Sequence, residues 1–136
     1  MRLLLDTHVW LWLIGPQDRL SGRARAALTD VDNELLLSAA SGFEIALKAA
    51  IGKLRLAGPA SVLVPNYLER SGVRPLPINV DHALRAGELP MHHRDPVDRL
   101  LVAQAQMEDL VLVTADAQLR AYDVQLLAAA AEQEQG

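Results

Sequence analysis

Short apolar runs recur along the chain, each bounded by polar or turn-forming residues: Leu3-Leu4-Leu5, Leu35-Leu36-Leu37 and Val111-Leu112-Val113. Each is too short for a helix and reads as a strand. Between them lie longer segments with helix start and stop signals. Residues 2–5 are read as the first strand, followed by a helix over 7–14 that Gly15-Pro16 ends. Ser21 is a good N-cap for a helix reaching about residue 29, and 34–38 reads as the second strand. Residues 41–51 form a helix closed by Gly52, and 59–71 carry another, interrupted or started late by Pro65. Residues 73–78 are a third strand, weakened by Pro75 and Pro77 and therefore placed at a sheet edge. A helix over 80–87 and a loop over 89–94 precede a long helix ending at Glu108. Asp95 caps that helix, with Pro96 at its favoured first position. Residues 111–114 are the fourth strand, a short helix follows Asp116, and 124–127 is the fifth strand. This alternation predicts an α/β fold, a doubly wound, mainly parallel sheet of about five strands with helices on both faces. Right-handed crossovers should join the parallel strands.

With 136 residues, half of them apolar, the chain suits one domain with a proper core. No internal repeat or dividing linker is visible. The domain is expected over 1–127, and the alanine-rich end, 128–136, reads as a frayed helix or disordered tail. The absence of cysteine excludes disulfides, thiolate metal sites and cysteine nucleophiles, and agrees with a cytoplasmic protein. The apolar stretch 3–14 is interrupted by Asp6 and His8, is too short for a membrane span and lacks a small-residue cleavage site. No membrane association is expected.

Candidate chemistry lies where strands give way to helices. Asp6 follows the first strand, Glu44 the second, Asp116 the fourth, and Asp98 opens the long helix. In an open parallel sheet those points share one edge, outside the carboxyl ends of the strands. Carboxylates gathered there repel one another unless some protonate or a cation neutralises them. Oxygen ligands favour a hard ion such as Mg2+ or Mn2+, which points to metal-assisted phosphoryl hydrolysis. The formal net charge of −4 speaks mildly against a nucleic-acid ligand. Setting those four acids aside leaves thirteen acids against thirteen bases, so the objection weakens.

Each acid also has a plain structural reading as a helix cap. Ser41 to Glu44 matches a capping box, and Asp98 suits the positive end of a helix dipole. Capping and metal binding are compatible, because a carboxylate has two oxygens. Thr7, Ser41 and Thr114 stand beside the acids and are candidates to orient them by hydrogen bonds, although capping is their default role. Asp95 is an additional acid read as an N-cap, with a lesser prospect of holding a metal-bound water.

Four segments carry a resemblance. Leu4-Leu5-Asp6-Thr7-His8, residues 41–48 (SGFEIALK), residues 92–105 (HHRDPVDRLLVAQA) and Leu112-Val113-Thr114-Ala115-Asp116 resemble the ordered motifs of PIN-domain proteins. They resemble most closely the VapC-type ribonuclease toxins of bacterial toxin–antitoxin pairs, over nearly the whole chain. Phe43 stands where that family often has tryptophan. The resemblance implies a PIN-like nuclease domain, a Mg2+- or Mn2+-dependent endoribonuclease, a homodimer and a cognate VapB-like antitoxin. By their motif positions Asp6, Glu44, Asp98 and Asp116 match the family's acidic quartet. Asp6 and Asp98 are then the best direct metal ligands. Glu44 is expected to bind the metal or a water it helps deprotonate, and Asp116 to complete a second site or act through water. RNA hydrolysis would proceed by a metal-activated water, without a protein nucleophile.

Other residues receive the plainer reading. Lys48 should pair with Glu44 four residues earlier. Lys48, Lys53, Arg55, Arg94 and Arg99 are candidates for an RNA-facing rim, each individually better read as solvated surface. His92 and His93 are read as loop histidines, since adjacent side chains rarely face one ion. Trp10 and Trp12 are read as core or subunit packing, with base stacking the weaker alternative. Three other functions remain open. An aspartyl-nucleophile phosphatase would use Asp6, though His8 stands where its usual pattern wants an acid. A receiver-like module would need a pocket lysine after the late strands. An inactive PIN-like binding domain would not need the intact quartet.

Overall fold

The computed structural model describes residues 1–131. Five strands form one sheet: β1 (Arg2–Leu5), β2 (Glu34–Ser38), β3 (Val73–Leu76), β4 (Val111–Thr114) and β5 (Leu126–Ala128). Every pairing is parallel and the order is β3-β2-β1-β4-β5. The chain therefore builds outward from β1 in one direction, then crosses to build outward in the other. The gap between β1 and β4 is the switch point at which such sheets bind ligands.

The helices are α1 (Thr7–Ile14), α2 (Gly22–Thr29), α3 (Ala39–Ala50), α4 (Ala60–Ser71), α5 (Val80–Glu88) and α6 (Pro96–Met107), with 3-10 turns at Gln17–Arg19 and Ala117–Ala121. Among the described residues, no helix is long and apolar enough to cross a membrane. Alternation along the strands splits the core in two. Leu3, Leu5, Leu35, Leu37, Val73 and Val113 face α1, α2 and α3, through Val9, Trp10, Ala24, Leu28 and Ile45. Leu4, Leu36 and Leu112 face the other side, against Leu101, Val102 and Ala105 of α6. Burial on both sides explains why these strands are continuously apolar rather than alternating.

The expected architecture is present, with local differences. β3 lies at the edge, as its prolines require, but ends at Leu76. Pro65 neither delays nor breaks α4; it forfeits one backbone bond within a helix that has no buried residue. Helix α3 starts at Ala39, capped by Ser38, whose hydroxyl accepts from the Ala40 N–H at 3.0 Å. Ser41 is therefore no N-cap, and the capping box with Glu44 does not form. The tail boundary also moves. Residue 128 belongs to β5, the Ala129 N–H donates to the Thr114 carbonyl, and the Ala131 N–H to that of Arg19. Backbone pairing thus holds 128–131; the rest of the expected tail, 132–136, lies outside the described residues.

Candidate active site

Asp6 is the first residue beyond β1, and its backbone N–H still donates to the Val113 carbonyl of the neighbouring β4, at 2.9 Å. The ladder thus holds the backbone of Asp6 at the switch point. Its carboxylate is nearly buried and caps nothing: Oδ2 instead accepts from Thr114 Oγ1, the last residue of β4, at 2.7 Å. Thr7 begins α1, and its hydroxyl donates to Ser41 Oγ at 2.8 Å, both groups being buried. Starting α3 at Ala39 is what turns Ser41 inward, so this bond ties α1 to α3. Glu44 lies one turn further along α3. Lys48 Nζ is 3.4 Å from Glu44 Oε2, the i,i+4 pair the spacing predicts.

The other acids arrive from the second half of the chain. Asp95 Oδ1 accepts from the backbone N–H groups of Val97 and Asp98, at 2.8 and 3.2 Å, and so caps α6 as expected. That frees the Asp98 carboxylate to face the cavity. Asp116 divides its oxygens: Oδ1 accepts from the Gln118 N–H at 2.9 Å, while Oδ2 points to the centre. Asp6, Glu44, Asp95, Asp98 and Asp116 all line one cavity of about 560 Å³ at the carboxyl edge of the sheet. The hydroxyls of Thr7, Ser41 and Thr114 buttress it from behind.

His93 corrects the sequence reading. Its Nε2 lies 2.8 Å from Asp98 Oδ2 and 3.1 Å from Asp116 Oδ2, so it bridges two of the acids. The imidazole Nδ1 accepts from the Arg94 N–H at 3.1 Å, which leaves the proton on Nε2, directed at the carboxylates. Adjacent histidines indeed diverge: His92 turns its ring edge to Tyr122, with centroids 5.1 Å apart. The usable signal was position relative to the cap. The turn made by Asp95 and Pro96 folds a residue two before the cap back onto the first turn of α6, where Asp98 lies.

Arg99 also departs from expectation. It is buried rather than part of a cationic rim. Its guanidinium donates to the carbonyls of Gly87, Leu89, Pro90 and His93 at 2.9–3.2 Å. Tyr122 Oη accepts from the His93 N–H at 2.9 Å and donates to the Pro90 carbonyl at 2.9 Å. Arg99 and Tyr122 thereby hold the loop that delivers His93. Of the other rim candidates, Lys48 lines the acid cavity, while Lys53 lines a smaller one beside it.

The electrostatics follow from crowding. Burial pushes the Asp98 carboxyl up to about 7, Asp6 and Asp95 add repulsion, His93 opposes the shift, and Asp116 adds a smaller repulsion. Burial also raises Asp6, against the Thr114 hydroxyl bond and His8, with Glu44 adding repulsion. Protons meet part of the cost of gathering these acids; a divalent cation would meet it better. The donor set, carboxylates and no thiolate, suits a hard divalent ion. Among the described residues, one atom each of His93, Asp98 and Asp116 lies within 4.8 Å of the others, so an ion shared by all three would take the place of the Nε2 proton.

Residues 3–125 match the PIN domain. Ribonuclease VapC22 of Mycobacterium tuberculosis (strain ATCC 25618 / H37Rv) is 36% identical over 121 residues, which cover 88% of this chain and 91% of that protein. Among solved structures, a chain of VapBC2 from Rickettsia felis bound to a DNA fragment from its promoter superposes with a TM-score of 0.70 at 18% identity, covering 95% of this chain and 99% of its own. A chain of FitAcB from Neisseria gonorrhoeae gives 0.64 at 26% identity, covering 92% and 96%.

Proposed function

The chain belongs to the PIN-domain family, and from that premise we propose that it is a VapC-type toxin, a divalent-metal-dependent endoribonuclease that hydrolyses RNA phosphodiester bonds in the cytoplasm. The observation that carries this reading is the convergence of Asp6, Glu44, Asp98 and Asp116, from four separate segments, on one cavity at the switch point. Asp6 and Asp98 are assigned as the principal metal ligands, with Asp116 and Glu44 completing the set directly or through water. Mg2+ or Mn2+ bound there would lower the pKa of a coordinated water and offset charge on the phosphate oxygens. Thr114 holds Asp6 in orientation, the Thr7–Ser41 hydroxyl pair fixes α1 against α3, and Asp95 keeps the start of α6 in place. His93 bridges the Asp98 and Asp116 oxygens. Glu44 would accept the proton of the attacking water, with Lys48, 3.4 Å from its Oε2, steadying its charge.

A cognate antitoxin belongs to the same reading. A crowd of carboxylates is a natural receptor for arginine, whose planar fork pairs bidentately with carboxylate. Such a side chain, inserted by a partner, would exclude the metal and the attacking water. A homodimer is also proposed, supported by the exposed stripe of Phe43 and Leu47 on α3 and Ile51 at its C-cap. The test is cleavage of candidate RNAs by the purified chain with Mg2+, with Mn2+ and with EDTA. Cleavage only with metal is expected; equal cleavage in EDTA would sink the metal mechanism. Co-expression with the product of the adjacent gene tests the partner: a tight complex that cleaves as fast as the free chain would rule out occlusion.

A further inference from the structure

The nuclease reading accounts for the acids but not for the aromatic wall beside them. His8, Leu11 and Trp12 are spaced i, i+3, i+4 along α1 and share one face. His8 and Trp12 line the acid cavity, with their ring centroids 6.4 Å apart and their planes 33° from parallel. The two tryptophans differ sharply. Trp10 is 1% exposed, and its indole N–H donates to Ser71 Oγ at 3.2 Å. Trp12 is only partly buried: it packs against the core cluster and also lines the acid cavity. Basic groups accompany it: Arg19 and Lys48 line the same cavity. His8 and Lys48 also border a second cavity of about 370 Å³, floored by Leu11, Ile45 and Leu54 and edged by Lys53. The two cavities share His8 and Lys48, so acids, aromatic rings and cations lie side by side.

Resting on the nuclease reading, we propose that Trp12, with His8, forms a stacking subsite for one unpaired nucleobase beside the scissile phosphate, and that Arg19 and Lys48 hold flanking phosphates. The order of chemistries matches a nucleotide. Acids and cations at the switch point address the phosphate. The next group along a polynucleotide is a flat base, whose π-face any aromatic ring can hold. Basic residues flanking the acids offset a field that would otherwise repel the backbone. Because stacking requires a base free on one face, the subsite selects single-stranded or looped RNA over duplex.

Tryptophan fluorescence separates the parts, because the chain has only Trp10 and Trp12. The probes are short single-stranded oligoadenylate and oligouridylate, and a duplex of the same length, added to the full chain in EDTA. Single strands should quench wild type and Trp10→Phe, which keeps Trp12, but not Trp12→Phe, which keeps only Trp10. The duplex should quench none of them. Labelled-RNA anisotropy should show Trp12→Leu weakening single-strand binding about five- to a hundredfold, and Trp12→Phe retaining most of it. Circular dichroism checks that Trp12→Leu is folded; should it not be, the quenching comparison decides alone. Cleavage with Mn2+ is measured in parallel. Cleavage with no quenching of Trp12 overturns the subsite and leaves the nuclease standing; absence of both binding and cleavage overturns both.

Discussion

At the amino end of the sheet, Glu34 lies between two cations, with Arg2 Nε at 3.3 Å and Arg74 Nη1 at 3.0 Å. At the carboxyl end, five acids share a cavity with Lys48, Arg19 and two histidines. The amino end also carries the larger groove, about 680 Å³, lined by Leu13, Ile14, Leu28 and Leu35 among others, with Asp30 as its one acid. Size alone would therefore direct attention away from the clustered acids. The difference teaches that charge balance, rather than cavity volume, marks the candidate site. A carboxylate matched by arginines satisfies itself, whereas mutually repelling carboxylates store a demand for a cation.

The largest expected effect breaks the contrast outright. Asp6→Asn and Asp98→Asn should each lower RNA cleavage by at least about a hundredfold while the fold persists, because each removes a proposed metal ligand. Glu34→Gln should leave cleavage unchanged. Initial rates with Mn2+, alongside circular dichroism, check this; near-normal cleavage by folded Asp98→Asn would remove the assignment.

The next effect concerns the imidazole. His93→Ala should weaken Mn2+ binding about ten- to a hundredfold, since Asp98 and Asp116 lose the group that holds them together. His93→Gln, which keeps an N–H donor, should lose less. Free Mn2+ counted by electron paramagnetic resonance reads this without turnover, and His92→Ala serves as the control that should not change.

A pH series sharpens the comparison further. Folded Asp98 keeps its proton up to about 7, against 3.8 for an ordinary aspartate. Between those values the folded chain binds more protons than the unfolded one, so Asp98 favours the fold at low pH. That contribution declines as pH rises and is gone above about 7. The Tm of metal-free protein should carry a component that falls from acid to neutral pH, and Asp98→Asn should lack it. Metal should restore Tm more strongly on the alkaline side, where the carboxylates are ionised. An identical pH profile in Asp98→Asn would contradict this.

The smallest effect lies at the amino end. Glu34→Gln should change stability by no more than about 1 kcal/mol, as exposed ion pairs do, measured by urea unfolding. A larger loss would show that this end also stores electrostatic energy.

Much of the fold was legible because burial on both faces of a parallel sheet leaves its trace as unbroken apolar runs. The motif order marked Asp6, Glu44, Asp98 and Asp116, because each follows a strand or opens a helix at one edge. Sequence by itself also determined that Pro75 and Pro77 belong at that sheet's margin and that Asp95 with Pro96 starts a helix, since these are local backbone properties. Only the tertiary structure decided the rest. That Ser41 bonds Thr7 rather than capping α3, that His93 rather than His92 meets the acids, and that Arg99 is buried among carbonyls all depend on partners from other segments. Ser41 and Thr7 are 34 residues apart, and Thr114 and Asp6 108 apart. Local sequence registers which groups a residue offers; which of them are used depends on what packing brings within hydrogen-bond range.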